Sequence, residues 1–304
     1  MKGIRMNKEI TKVIDLIPGK TKEITVLNAN ELQEDVFWEQ FVLRHKPVLI
    51  KGAVKQWPAI EKWAKNGYLE SKSFGEDAEY SETFNSSPCS PLKRGKLNNC
   101  IRDIFKLSNS RVYSIPSFLI PEKWTEDVHG YSFLNIKKLK KPLIYPSSRL
   151  FAYKNASTEW HYHPTDETIT SQIVGSKKIS LFRLNSKNWN LYYPFIKSNT
   201  HHLADGELYF PENSNLVKYE GILEPGDSLY IPPFWWHGVD PVDSTFGVTL
   251  AECFRTPLTR LGDKNEPVLT EALSQLPILP AVAFRLKILQ STIARKYKKE
   301  KWLI

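Results

Sequence analysis

Cysteine is scarce in this chain. There are three among 304 residues, Cys89, Cys100 and Cys253, and they share no metal-type spacing. So odd and sparse a set excludes a disulfide framework and fits a reducing compartment, so a cytoplasmic protein is expected. Long apolar runs are missing too. No segment approaches the roughly 18 residues that a membrane span needs. The opening MKGIRMNKEITKVIDLIPGK is mixed and charged rather than a signal core. Internal repeats and low-complexity tracts are also absent. What is present is ordinary for a globular protein, with 41% hydrophobic and 25% charged residues, enough for one large core or two small ones.

Acid is short only at one end. The net charge is +9, yet the stretch from Ala281 onward holds seven Lys/Arg against Glu300 alone and carries +6 of it. The rest is close to neutral, so specific nucleic-acid binding is not expected of the main domain. In that tail Val282, Leu286, Leu289, Ile293 and Tyr297 fall on one helical stripe, with Pro280 placed to open the helix. Such a stripe packs on its own domain, on a twin in a homodimer, or on a membrane surface.

Three regions follow from the pattern. Residues 1–145 read as N-terminal α/β elements: a helix over 30–44, a strand at 46–52 and an exposed loop over 84–98. Residues 146–256 read as short strands at 149–154, 157–163, 171–184, 227–233 and 247–255, which predicts an all-β barrel or sandwich. The aromatic-rich span 185–222 reads as a long binding loop over the barrel mouth. Residues 257–304 read as a C-terminal helical segment.

The chemistry concentrates in Trp160-His161-Tyr162-His163. On a strand, i and i+2 share a face, so both imidazoles would project into the barrel with Trp160 and Tyr162 facing outward. Two imidazoles on one face suit a first-row transition metal. A third ligand is expected from another strand, and His237, after Pro225-Gly226-Asp227-Ser228-Leu229-Tyr230-Ile231-Pro232-Pro233-Phe234-Trp235-Trp236, is placed to supply it. The competing reading is a set of core histidines satisfied by carbonyls.

Residues 158–184 and 225–254 resemble the cupin-like JmjC family, which contains the asparaginyl hydroxylase of hypoxia-inducible factor. The resemblance rests on His161-x-His163, on Gln172-Ile173-Val174-Gly175-Ser176-Lys177 and on Gly226 to His237, with a looser match at KPVLIKGAVKQWPAIEKW (46–63). It implies a double-stranded β-helix (cupin or jelly-roll) barrel and an Fe(II)- and 2-oxoglutarate-dependent oxygenase. Such an enzyme hydroxylates a protein or peptide side chain or a small metabolite. It also implies that Lys177 and Thr158 hold the distal carboxylate of 2-oxoglutarate, with Tyr113 as a third contact, and that helices after the barrel form a homodimer. Without the resemblance, Lys177 reads equally well as a solvated turn lysine.

Two departures stand out. The family's Asp is His163 here, and the segment from the first ligand to Gln172 is one residue longer. Three neutral imidazoles leave a divalent metal at +2 where a carboxylate leaves +1. His-x-His followed by a Glu also resembles ordinary cupins, and Glu167 stands at that Glu position. A three-His metalloenzyme that does without 2-oxoglutarate, with or without Glu167, is therefore the second expectation. A degenerate cupin used only for binding is the third.

Overall fold

Strands that bury both faces need apolar residues on both. The computed structural model describes residues 3–6, 12–82, 92–108, 111–142, 145–163, 166–184, 188–199, 208–211, 215–243 and 245–256, with four helical positions beyond them, Ile278, Val282, Arg285 and Leu286. In chain order the strands are β1 (Gly3–Met6), β2 (Lys20–Glu23), β3 (Val26–Asn28), β4 (Val48–Lys51), β5 (Asp77–Tyr80), β6 (Lys93–Lys96), β7 (Tyr113–Leu119) and β8 (Ser148–Lys154). There follow β9 (Thr158–His161), β10 (Asp166–Val174), β11 (Lys177–Arg183), β12 (Leu208–Pro211), β13 (Val217–Leu223), β14 (Ser228–Ile231), β15 (Trp235–Pro241) and β16 (Phe246–Arg255). The α-helices are α1 (Glu34–Val36), which runs on into a wider π turn over Phe37–Val42, then α2 (Pro58–Lys62), α3 (Tyr68–Lys72), α4 (Leu97–Lys106) and α5 (Trp189–Asn199).

Two sheets face each other. One has the order β3-β4-β14-β10-β16-β8-β7 and the other β2-β13-β11-β15-β9. This is the two-sheet β architecture of a cupin barrel, and the N-terminal strands β2, β3, β4 and β7 extend its sheets rather than form a separate layer. Between the sheets lie Leu181, Leu229, Ile231, Trp235 and Ile179. On the outer face of the larger sheet Ile169, Tyr230, Leu250 and Phe254 pack with Phe37, Trp57, Trp63 and Ile101. On the outer face of the smaller sheet Trp160, Phe182 and Trp236 pack beneath Val13, Ile14 and Tyr192. Each large side chain so buried contributes about 1.5–3 kcal/mol.

Several expectations change against this frame. The loop expected over 84–98 gives way to β6 at Lys93 and α4 at Leu97. Leu97, Cys100, Ile101 and Ile104 of α4 are all buried, a helical 3–4 spacing that the Pro- and Ser-rich run before it conceals. The loop expected over 185–222 contains α5, β12 and most of β13. Trp160 does leave the barrel interior, but it is only 2% exposed, and its indole nitrogen donates to the Val13 carbonyl at 2.8 Å. Of the C-terminal stripe, Val282 and Leu286 are helical and exposed, while Leu289, Ile293 and Tyr297 lie outside the described residues.

Candidate metal centre

His161 closes β9 and pairs directly across from His237 on β15. His163 stands two residues past His161, beyond the end of the strand, so strand alternation alone does not aim it. A backbone bond does: the Phe234 amide donates to the His163 carbonyl at 2.8 Å. Phe234 itself has φ 65°, a left-handed conformation that costs a non-glycine residue free energy and turns Pro232-Pro233 into the Trp pair. Trp235 then enters the barrel interior and Trp236 the outer cluster, so His237, in phase with Trp235, faces inward. The three ring centroids lie 4.1 Å apart for His161–His237, 5.0 Å for His163–His237 and 5.3 Å for His161–His163. One ligand nitrogen from each falls within 4.8 Å of the others.

The far nitrogen of each ring is already engaged. His161 Nδ1 meets the Glu159 carbonyl at 2.8 Å and His237 Nδ1 meets the Trp235 carbonyl at 3.0 Å. A carbonyl only accepts, so both rings carry their proton on Nδ1 and present a lone pair on Nε2. His163 Nδ1 lies 2.8 Å from the Thr168 hydroxyl. Burial holds all three pKa values below the usual imidazole range, and the neighbouring imidazoles push His163 and His237 further down. Three neutral imidazoles, two buried and one half-buried, each with Nδ1 held from behind, are the donor set that a divalent transition metal takes.

Glu167 is not part of this set. It faces the other side of β10, where the Tyr230 hydroxyl donates to it at 2.6 Å. The extra residue before Gln172 does not bring that carboxylate inward. Thr168, its neighbour, takes the inward place.

The imidazoles open into a cavity of ≈ 290 Å³ that also contains Thr158, Lys177, Tyr153, Arg149 and Thr249. Lys177 is 8% exposed, and burial alone pushes its ammonium down to about 7. It follows a tight turn in which Gly175 has φ 69°, and a Cβ there would meet the Phe246 carbonyl at 2.9 Å. Lys177 Nζ donates to Thr249 Oγ1 at 3.0 Å, Thr249 donates to Gln172 Oε1 at 2.8 Å, and Gln172 Nε2 donates to the Tyr153 hydroxyl at 2.9 Å. The solvated-turn reading of Lys177 is thereby excluded.

Tyr113 does not join them. Its ring stacks on Tyr80 at 5.1 Å in the outer core, because it sits one residue out of phase with Ser114, which does line the cavity. The tyrosine beside Lys177's network is Tyr153, on β8, where Arg149, Phe151 and Tyr153 alternate inward. Gly247 makes room for it, since a Cβ there would fall 2.2 Å from the Tyr153 ring. Sequence reasoning found the β8 strand but passed over these alternate residues.

The profile of the cupin-like domain family matches residues 33–99 and 146–257, more than half of the chain, and the chain belongs to that family. It is similar to lysine-specific demethylase 8 of Xenopus tropicalis, 21% identical over 82% of this chain and 57% of that protein. It is also similar to Jumonji C domain-containing protein 5 of Drosophila melanogaster, 24% identical over 75% of this chain and 59% of that protein. A shorter match, 29% identical over 36% of this chain and 32% of the other, is to tRNA wybutosine-synthesizing protein 5 of Danio rerio. The chain thus spans less than two thirds of the length of these relatives. Among the described residues no helix is long and apolar enough to cross a membrane.

Proposed function

We propose that this chain is an Fe(II)- and 2-oxoglutarate-dependent oxygenase whose iron is held by His161, His163 and His237. The observation that carries this reading is the meeting of three convergent imidazoles with a buried, carboxylate-free lysine in one cavity. Bound iron and 2-oxoglutarate supply the oxidising chemistry: O2 is consumed, 2-oxoglutarate leaves as succinate and CO2, and one oxygen atom enters a substrate C–H bond. The chain's own part is to bind, orient and exclude water. Lys177, held by Thr249, donates to the far carboxylate of 2-oxoglutarate, and Thr158 stands on the same wall. Ile179, Ile231, Val239 and Ala251 keep the cavity dry, which strengthens each polar contact inside it.

His163 in place of a carboxylate supports a second reading, a three-His metalloenzyme that does not use 2-oxoglutarate. One titration separates the two. Anaerobic Fe(II)-loaded protein titrated with 2-oxoglutarate should develop the visible metal-to-ligand charge-transfer band at a stoichiometry of one. Absence of the band and of any binding at millimolar 2-oxoglutarate would hand the site to the second reading. The tail proposal is separate: a homodimer dependent on residues 268–304, which a monomeric full-length chain in sedimentation at tens of micromolar would refute.

A further inference from the structure

We propose that Arg149 receives a carboxylate of the primary substrate, so that the substrate class is a carboxylic acid hydroxylated beside its acid group. This rests on the oxygenase reading above and deepens it.

Arg149 lies in the same cavity as the imidazoles, but at the end away from Lys177. Lys177 contacts Thr249 on β16, while Arg149 Nη2 contacts Cys253 Sγ at 4.0 Å on the same strand. The two contact points are separated by four residues, about 13 Å of strand at roughly 3.3 Å each. The guanidinium is positioned in advance. It lies over the Tyr145 ring at 4.5 Å and the Phe151 ring at 5.6 Å, and the Tyr145 ring in turn packs on His163 at 4.9 Å. Yet among the described residues no ion pair joins it to a carboxylate, and its Nε is buried without a hydrogen-bond partner. Asp166, beside the same Tyr145, accepts from the Tyr145 amide at 3.3 Å.

A half-buried cation stacked between rings gains by pairing with an anion that enters the cavity. Charge balance says which. None of the described residues lining the cavity is Asp or Glu. With three neutral imidazoles, a divalent metal keeps both its charges, and Lys177 and Arg149 add one each. The 2-oxoglutarate dianion offsets two of these four and is used up between the metal and Lys177. Arg149 is left facing the space where a substrate must sit, and a planar guanidinium fork matches a carboxylate better than any other common group.

The test uses Fe(II)- and 2-oxoglutarate-loaded full-length protein under anaerobic conditions, with isobutyrate and its neutral isostere isobutyramide as probes. NMR line broadening of the probe methyl groups gives both dissociation constants. Wild type should bind isobutyrate at least roughly tenfold more tightly than isobutyramide. Arg149→Gln should erase that preference and Lys177→Ala should keep it. A wild type without preference, or an Arg149→Gln protein that retains it, overturns the proposal. A variant-free measurement stands beside these: isobutyrate, but not isobutyramide, should slow phenylglyoxal modification of Arg149 as mapped by mass spectrometry, and equal rates count against the proposal. A capped Gly-Asp-Gly peptide distinguishes the source of the carboxylate, since tighter peptide than isobutyrate binding assigns an acidic side chain of a protein and the reverse assigns a free acid. If wild type binds no 2-oxoglutarate, the oxygenase reading fails, while the carboxylate preference of Arg149 is still read on the metal-loaded protein.

Discussion

Lys177 and Arg149 are the two cations of one cavity, and the fold treats them in opposite ways. Lys177 is wired through Thr249 and Gln172 to Tyr153, and burial holds it close to neutrality. Arg149 is stacked on aromatic rings and, among the described residues, has no ion pair. A lysine that shifts its pKa stays tolerable in an empty site and charges when a carboxylate arrives. An arginine cannot retreat in that way, so it has to be stabilised from its faces, and the rings do so. On the proposed reading, the difference suits one end of the cavity to a ligand that comes and goes each turnover, and the other to whatever is being oxidised.

The imidazoles between the two cations give the largest expected effect. His161→Ala, His163→Ala and His237→Ala should each remove stoichiometric iron, measured by metal analysis after desalting, while circular dichroism stays native. Iron content equal to wild type in all three variants would break the comparison, since the cations would then flank nothing. Next in size, Lys177→Ala should weaken 2-oxoglutarate binding roughly tenfold to hundredfold in calorimetry, the range of one charge-assisted hydrogen bond. Its iron content should not change. Equal 2-oxoglutarate affinity would move the cosubstrate to the Arg149 end.

How much of this was legible beforehand differs between the two ends. The Lys177 end was legible because its residues are close in sequence: Gln172, Gly175 and Lys177 sit around the one tight turn that carries the chain from β10 in one sheet to β11 in the other, and Gly226 to His237 is one continuous segment. The Arg149 end was not, because it joins β8 to Tyr145 and to Cys253 across more than a hundred positions, and an arginine in a short strand reads as a solvated one. Tyr113 failed for a related reason. A strand offers two faces one residue apart, and only the paired register with β8 shows that Ser114 takes the inner one. Glu167 had the spacing of a cupin ligand but belongs to the outer face, where Tyr230 holds it.

The lysine's depressed pKa makes a smaller, pH-dependent effect. In the folded protein without ligand, Lys177 loses its proton near pH 7, whereas in the unfolded chain it keeps it to about 10.5. The unfolded state therefore binds more protons between these values, and stability of the ligand-free protein should rise with pH across that window. Binding a carboxylate demands the charged form. Above pH 7 the ligand must bring a proton with it, so 2-oxoglutarate affinity should fall as pH rises from 7 to 9, by at most about tenfold per unit. Calorimetry in buffers of different ionisation enthalpy reads the proton uptake directly, near zero at pH 6 and close to one at pH 8.5. A flat affinity profile with no uptake would mean that Lys177 is charged throughout this range.

Thr249→Val sharpens the contrast most finely. The hydroxyl it removes accepts from Lys177 and donates to Gln172, while the Val side chain keeps the volume. In the ligand-free protein both partners lose a contact in a buried place, which costs about 1–3 kcal/mol. That corresponds to a melting temperature lowered by roughly 2–4 °C per kcal/mol in a domain of this size. Once 2-oxoglutarate binds, Lys177 recovers a partner and part of that cost disappears. The ligand-induced rise in melting temperature should therefore be at least as large in Thr249→Val as in wild type, and smaller in Lys177→Ala at the same 2-oxoglutarate concentration. Isobutyrate binding at Arg149 should be unaffected in both. A Thr249→Val protein with an unchanged melting temperature would show that the hydroxyl does not hold Lys177, and that the lysine end is as unpartnered as the arginine end.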